Sequence, residues 1–269
     1  MTPRPQSSGG PTGARGTALV RRMDLWGFDP DFHRHVMPFI GWTAENLFKT
    51  KVSFEGNPDW RRPRIFVSNH GGFLPLDALM IKSALDPMLF GKPLRPLLED
   101  YVFTLPYIGM WMSRLGCVRA CQENAVRLLA QGQSVLAFPE GVKGAGKTLF
   151  EGNRIQRFGR GGVVRLAIRT DVEVVPVGIT GPETAYPVLA RFETIGKLLG
   201  LPFLPVTPTF PLLGVLGLLP LPARFSMIVG ETINLREKAG TDSPDEADVL
   251  RLNELVRGRV SDLLYRVQK

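Results

Sequence analysis

Three short apolar runs constrain the fold of this chain more than any other feature. They lie in RIFVSNH (64–70), SVLAFPE (134–140) and VEVVPVGIT (172–180), the last rich in β-branched residues. Each reads as a buried strand. Between and around them lie runs of helical character. PLDALMIKSAL (75–85) opens on a proline, which is favoured at a first helical position; ENAVRLLAQGQ (123–133) ends near a glycine; GGVVRLAIRT (161–170) follows. RFSMIVGETINL (224–235) adds a late strand. Strand alternating with helix at these spacings predicts an α/β fold, a mostly parallel central sheet flanked by helices. The 269 residues suffice for a sizeable core.

The two ends are read differently. Residues 1–22 are rich in Pro, Gly, Ser and Thr and are expected to form a flexible tail; no apolar stretch follows the early arginines, so no secretory signal is expected. Residues 23–50 carry Trp26, Phe28, Phe32, Phe39 and Trp42, with helical spacing from Phe32 onward. They are expected to form an amphipathic helical segment that contacts a membrane, kinked or divided at Pro38. Residues 51–269 would then be the α/β domain. At its end, Ser243 and Glu246 suggest a capping box with Pro244 at the first helical position, ahead of an apolar stripe from Val249 to Val267.

Residues 198–223 hold no charge and six prolines, four of them (Pro202, Pro205, Pro208, Pro211) three apart. The run is long enough to span a bilayer, but that many prolines exclude an ordinary spanning helix. A polyproline-like segment lying on the protein, with an apolar face toward lipid or an acyl chain, is expected.

GVKGAGKT (141–148) fits the phosphate-loop pattern of nucleotide hydrolases. The sequel does not. A phosphate loop runs straight into a helix, whereas Gly152, Asn153, Gly159, Gly161 and Gly162 follow here, with no helical stripe before Gly162. No downstream strand ends in a magnesium-binding Asp.

Two other strand ends carry the chemistry. SNHGGFLPLD (68–77) and FPEG (138–141) each end a buried run in polar residues and glycine, at the carboxyl edge of the sheet where open α/β folds bind ligands. Asp77 falls in the first turn of the helix near Pro75, within reach of His70. An imidazole held in one tautomer by a carboxylate can take a proton from a hydroxyl. Here the chain resembles the glycerolipid acyltransferases, which include lysophosphatidic acid acyltransferase. NHGGFLPLD, LGCVRA, FPEGVKG and VVPVGI match the four blocks of that family in order, over about residues 64–235. Six residues separate His70 from Asp77, where the family usually has four, and a bulge at Gly71–Gly72 is expected to absorb the difference.

The resemblance implies acyl transfer from acyl-coenzyme A or acyl carrier protein to a hydroxyl of a lysophospholipid or glycerolipid, by default 1-acylglycerol-3-phosphate. His70 and Asp77 would act as a general-base pair without a covalent acyl-enzyme. It further implies that Arg119 helps bind the acceptor's phosphate and that Glu140 and Gly141 contact its head group. The basic residues from Gly141 to Arg165, notably Lys143, Lys147, Arg157 and Arg160, suggest a phosphate-binding loop.

A formal charge of +8 favours a polyanionic neighbour, whether nucleic acid, an anionic membrane surface or a phosphorylated substrate; of these the resemblance implies a membrane lipid surface and no nucleic acid. The expected location is peripheral or monotopic, on the cytoplasmic face of a membrane. No cofactor and no metal are expected. Cys117 and Cys121 are expected to be reduced, mostly buried thiols. A lipid-binding relative without activity and a nucleotide hydrolase are the alternatives.

Overall fold

The structure, a computed structural model, describes residues 23–269 apart from 57–58, 152–153 and 242. The tail expected over 1–22 lies outside the described residues. The chain opens with helix α1 (Pro30–Asn46) and strand β1 (Lys51–Phe54). There follow β2 (Ile65–Ser68), α2 (Leu76–Leu85), β3 (Arg95–Leu98), α3 (Asp100–Thr104), α4 (Ile108–Arg114), β4 (Val118–Arg119) and α5 (Gln122–Ala130). Next come β5 (Val135–Ala137), α6 (Val142–Ala145), α7 (Gly162–Thr170), β6 (Val174–Thr180) and α8 (Pro182–Ala185). A separate ribbon of β7 (Ala190–Phe192) and β8 (Leu204–Val206) brackets α9 (Glu193–Leu198); β9 (Ser226–Val229), α10 (Leu235–Ala239) and α11 (Glu246–Val267) complete the chain.

The main sheet has the order β1-β9-β6-β2-β5-β3-β4. From β6 to β4 all neighbours are parallel; β9 runs antiparallel to β6, and β1 lies parallel to β9 at the edge. Alternate residues divide the core into two layers, as a two-residue side-chain period requires. Phe66, Leu136 and Val175 face the side covered by α1 and α2. Ile65, Val135 and Val174 face the side covered by α5, α7 and α11.

Three local expectations are corrected. Helix α1 is not divided at Pro38; it runs from Pro30 to Asn46, with the Asp29 side chain accepting from the N–H groups of Asp31 and Phe32 at its start. It buries Met37, Ile40 and Ala44 against the core. Helix α11 is capped by Asp245, which accepts from Asp248 N–H, two residues beyond the expected cap at Ser243. Its carboxylate is the better placed acceptor for the orphan N–H groups of the first turn. The proline-rich segment is not a polyproline run either: Leu204–Val206 pairs with β7, and a short 3₁₀ turn covers Gly214–Leu218. Among the described residues, no helix is long and apolar enough to cross a membrane.

Candidate active site

β2 and β5 are parallel neighbours, so the residues that follow them emerge side by side. That places Asn69 and His70 next to Phe138–Gly141. Asn69 locks the edge: its side-chain amide donates to the Ile179 carbonyl at 2.8 Å and its side-chain oxygen accepts from Ile179 N–H at 2.9 Å, tying the end of β2 to β6.

The His70 ring is nearly buried, against Phe138 at 4.6 Å between ring centroids. His70 Nδ1 lies 2.5 Å from Asp77 Oδ2. The longer spacing therefore closes. Gly72 adopts φ 85°, a left-handed conformation, and Phe73 tucks against Tyr101, whose hydroxyl donates to the Phe73 carbonyl at 2.9 Å. The fully buried Asp77 carboxylate also accepts from the N–H groups of Gly71 and Ala78, at 3.1 and 2.7 Å. With Nδ1–H given to Asp77, Nε2 is left as an acceptor. Burial alone would expel a proton from this ring; the charge and hydrogen bond of Asp77, helped by Glu140, outweigh it and raise the His70 pKa above the ordinary imidazole value.

His70 lines a cavity of about 400 Å³ at the carboxyl ends of β3 and β5. Its walls are largely apolar, with Leu97 and Leu98 from β3, Ala137 from β5, Ala125 from α5 and Leu166 from α7. Exposed Cys121 and Arg160 mark its opening. Gly141, Gly161 and Gly162 also line it, the last two at the start of α7, where the first N–H groups of a helix lack intrahelical acceptors.

The expected binding residues separate into two groups. Gly141 and Arg160 lie on the cavity. Lys143 and Arg157 are exposed and outside its walls; so is Arg119, 3.7 Å from Asp100. Glu140 and Lys147 depart from expectation. The Glu140 carboxylate is wholly buried and accepts from His70 N–H at 2.9 Å and Gln156 N–H at 2.6 Å, with Lys147 Nζ 2.6 Å away. Neither side chain is free to hold a head group or a phosphate. Helix α6 is a single turn, and the lysine a phosphate loop needs points into the protein. Cys117 is buried as expected, and burial pushes its thiol up to about 12; Cys121 is instead exposed. Neither a motif nor a periodic stripe in the sequence marks Tyr101 or the β3 side chains as part of the site.

The Acyltransferase family model matches residues 49–180. An uncharacterized protein of Mycobacterium leprae is 39% identical, over 91% of this chain and 67% of its own length; one of Mycobacterium tuberculosis is 40% identical, over 91% and 69%. A chloroplastic 1-acyl-sn-glycerol-3-phosphate acyltransferase of Arabidopsis thaliana is 29% identical over 57% of this chain and 43% of its own. Among solved structures, the 1-acyl-sn-glycerophosphate acyltransferase PlsC of Thermotoga maritima superposes with a TM-score of 0.50 at 18% identity, covering 86% of this chain and 81% of that one. At that identity the likeness is one of fold.

Proposed function

The chain belongs to the acyltransferase family, and we propose that it moves a fatty acyl group from acyl-coenzyme A or acyl carrier protein to a hydroxyl of a lysophospholipid. One observation carries this reading: a buried His70–Asp77 pair at 2.5 Å whose imidazole lines an apolar cavity at the sheet's carboxyl edge. Nε2 takes the proton from the acceptor hydroxyl. The resulting oxygen nucleophile attacks the thioester carbonyl, the tetrahedral intermediate collapses with cleavage of its C–S bond, and the leaving thiolate takes from His70 the proton that came from the acceptor hydroxyl. No covalent acyl-enzyme forms. Asp77 steadies the imidazolium that exists between the two proton transfers. The apolar walls suit a hydrocarbon chain, while Arg160 and the α7 N-terminus offer positive charge and N–H donors to phosphate or oxyanion. Lys143, Arg157 and Arg119 would act outside the cavity, on phosphates approaching it. The plant relative supports 1-acylglycerol-3-phosphate as the default acceptor.

The reading extends to a lipid surface, with the protein peripheral on the cytoplasmic face of a membrane. The two free cysteines fit a reducing compartment. Phe39 and Trp42 stack on the exposed face of α1, their ring centroids 6.2 Å apart. The β7–β8 excursion and the loop after it expose Leu198, Leu212, Leu213, Leu216 and Leu219, beside exposed Arg191, Lys197 and Arg224. Both elements anchor in the same core layer, through Met37 and Ile40 from α1 and through Ala185, Tyr186 and Ala223 flanking the excursion. Apolar side chains rimmed by cations match an anionic membrane interface.

The test is purified protein with labelled acyl-coenzyme A or acyl carrier protein and a panel of lysolipids. A diacyl phospholipid product is expected, with lysophosphatidic acid the best acceptor. No product with any donor, alongside tight lipid binding, would favour a non-catalytic lipid-binding protein.

A further inference from the structure

We propose that the buried Glu140–Lys147 ion pair is the clamp that positions His70, and that Lys147 serves as a positioning residue rather than a phosphate ligand. This rests on the acyltransferase reading given above. Within the sheet, β2 is last paired at Ser68, so the peptide groups of His70 lie past the ladder yet remain buried. Buried N–H and C=O groups need partners. The ion pair supplies both: Glu140 Oε1 accepts from His70 N–H at 2.9 Å, and Lys147 Nζ donates to the His70 carbonyl at 3.2 Å. The backbone of His70 is thereby held from two sides while Asp77 holds its ring.

The turn that returns Lys147 to this position is shaped for it. A Cβ on Gly144 would come within 2.7 Å of Glu140 Cβ and 2.9 Å of His70 Cβ, so only glycine lets α6 lie against both. Glu140 also accepts from Gln156 N–H at 2.6 Å, joining a third segment to the clamp. The electrostatics agree with the geometry. Glu140 raises the proton affinity of His70 and Lys147 lowers it, so the two partners act on the ring in opposite senses. Gly141 to Thr148 thus resembles a phosphate loop in sequence while its lysine closes on a carboxylate.

The experiment compares Lys147→Met, Lys147→Arg and the neutral pair Glu140→Gln/Lys147→Met with the native protein. It follows kcat and KM for the lysolipid across pH, and the His70 imidazole by NMR titration. Lys147→Met leaves the Glu140 charge uncompensated. It should lower kcat by about ten- to a hundredfold, as a small misplacement of a base does, raise the His70 midpoint, and leave KM within about twofold. Lys147→Arg should restore most of kcat, and the neutral pair should return the midpoint toward the native value. A raised KM with unchanged kcat and midpoint would make Lys147 a phosphate ligand and overturn the proposal, as would native kcat and midpoint in Lys147→Met or, should that variant not fold, native kcat in the neutral pair. If the native protein transfers no acyl group, the acyltransferase reading fails separately, and an NMR midpoint that Lys147→Met leaves unmoved overturns the clamp by itself.

Discussion

His70 is a buried imidazole whose basicity is decided by a contest between desolvation and a carboxylate. Removing the charge of Asp77 should let desolvation win. Asp77→Asn is therefore expected to shift the acidic limb of kcat/KM to lower pH and to reduce kcat by about 10²-fold or more, because the ring loses both its held tautomer and the stabilisation of its protonated form. The sign follows from the raised pKa of the native ring: a base must be unprotonated to act, so native activity should rise with pH through a midpoint above the ordinary histidine value of about 6.5. A pH profile that Asp77→Asn leaves in place would remove Asp77 from this role. At this scale the dyad was legible, since Asn69-His70 and Asp77 lie within ten residues and flank a predicted strand end and helix start. The partners of Glu140 were not. Its carboxylate bonds backbone N–H groups and a lysine seven residues on, and nothing local distinguishes that from a carboxylate facing a ligand.

Helix α11 does more than cover the sheet. It packs on β6 where Gly178 leaves room; a Cβ there would meet Leu264 N at 2.6 Å. Its Asn253 donates to the Gly159 carbonyl at 3.0 Å, and its Val249 lies against Gly161, so it supports the glycine turn that starts α7 and lines the cavity. Gly161 has φ 77°, and a Cβ there would lie 2.3 Å from Val249 Cγ1. Gly161→Ala should cost about 1–3 kcal/mol of stability through strain and overpacking, measured by denaturant unfolding, with partial recovery in Gly161→Ala/Val249→Ala. Equal stability of native and Gly161→Ala proteins would contradict this contact. The parallel strands β2, β5 and β6 and helices α2, α5, α7 and α11 were legible because burial on both faces or a 3.6-residue stripe leaves a pattern. β1, exposed along its length, and the two-residue β4 leave almost none, and the antiparallel placement of β9 is set by tertiary pairing rather than by its own residues.

At the scale of the molecule, net positive charge and exposed apolar side chains fit the anionic lipid surface proposed as its neighbour. Leu212→Glu/Leu213→Glu should weaken co-sedimentation with anionic vesicles by at least about tenfold, since each leucine contributes on the order of 1.5 kcal/mol or more when buried. Transfer to a water-soluble short-chain acceptor should be retained. Undiminished vesicle binding would show that these leucines do not meet lipid. The uncharged proline-rich run announced an unusual surface in the sequence, but its shape came from the pairing of β8 with β7. Removal of the acceptor's proton by His70 during direct acyl transfer is the centre of the proposed reaction. It is tested most directly by single-turnover transfer from labelled acyl-coenzyme A to lysophosphatidic acid in native and His70→Ala proteins. A fall of about 10²- to 10⁴-fold is expected, with acceptor binding preserved and no acylated protein detected; a native rate in His70→Ala, or an acyl group trapped on the protein, would rule out general-base transfer by this residue.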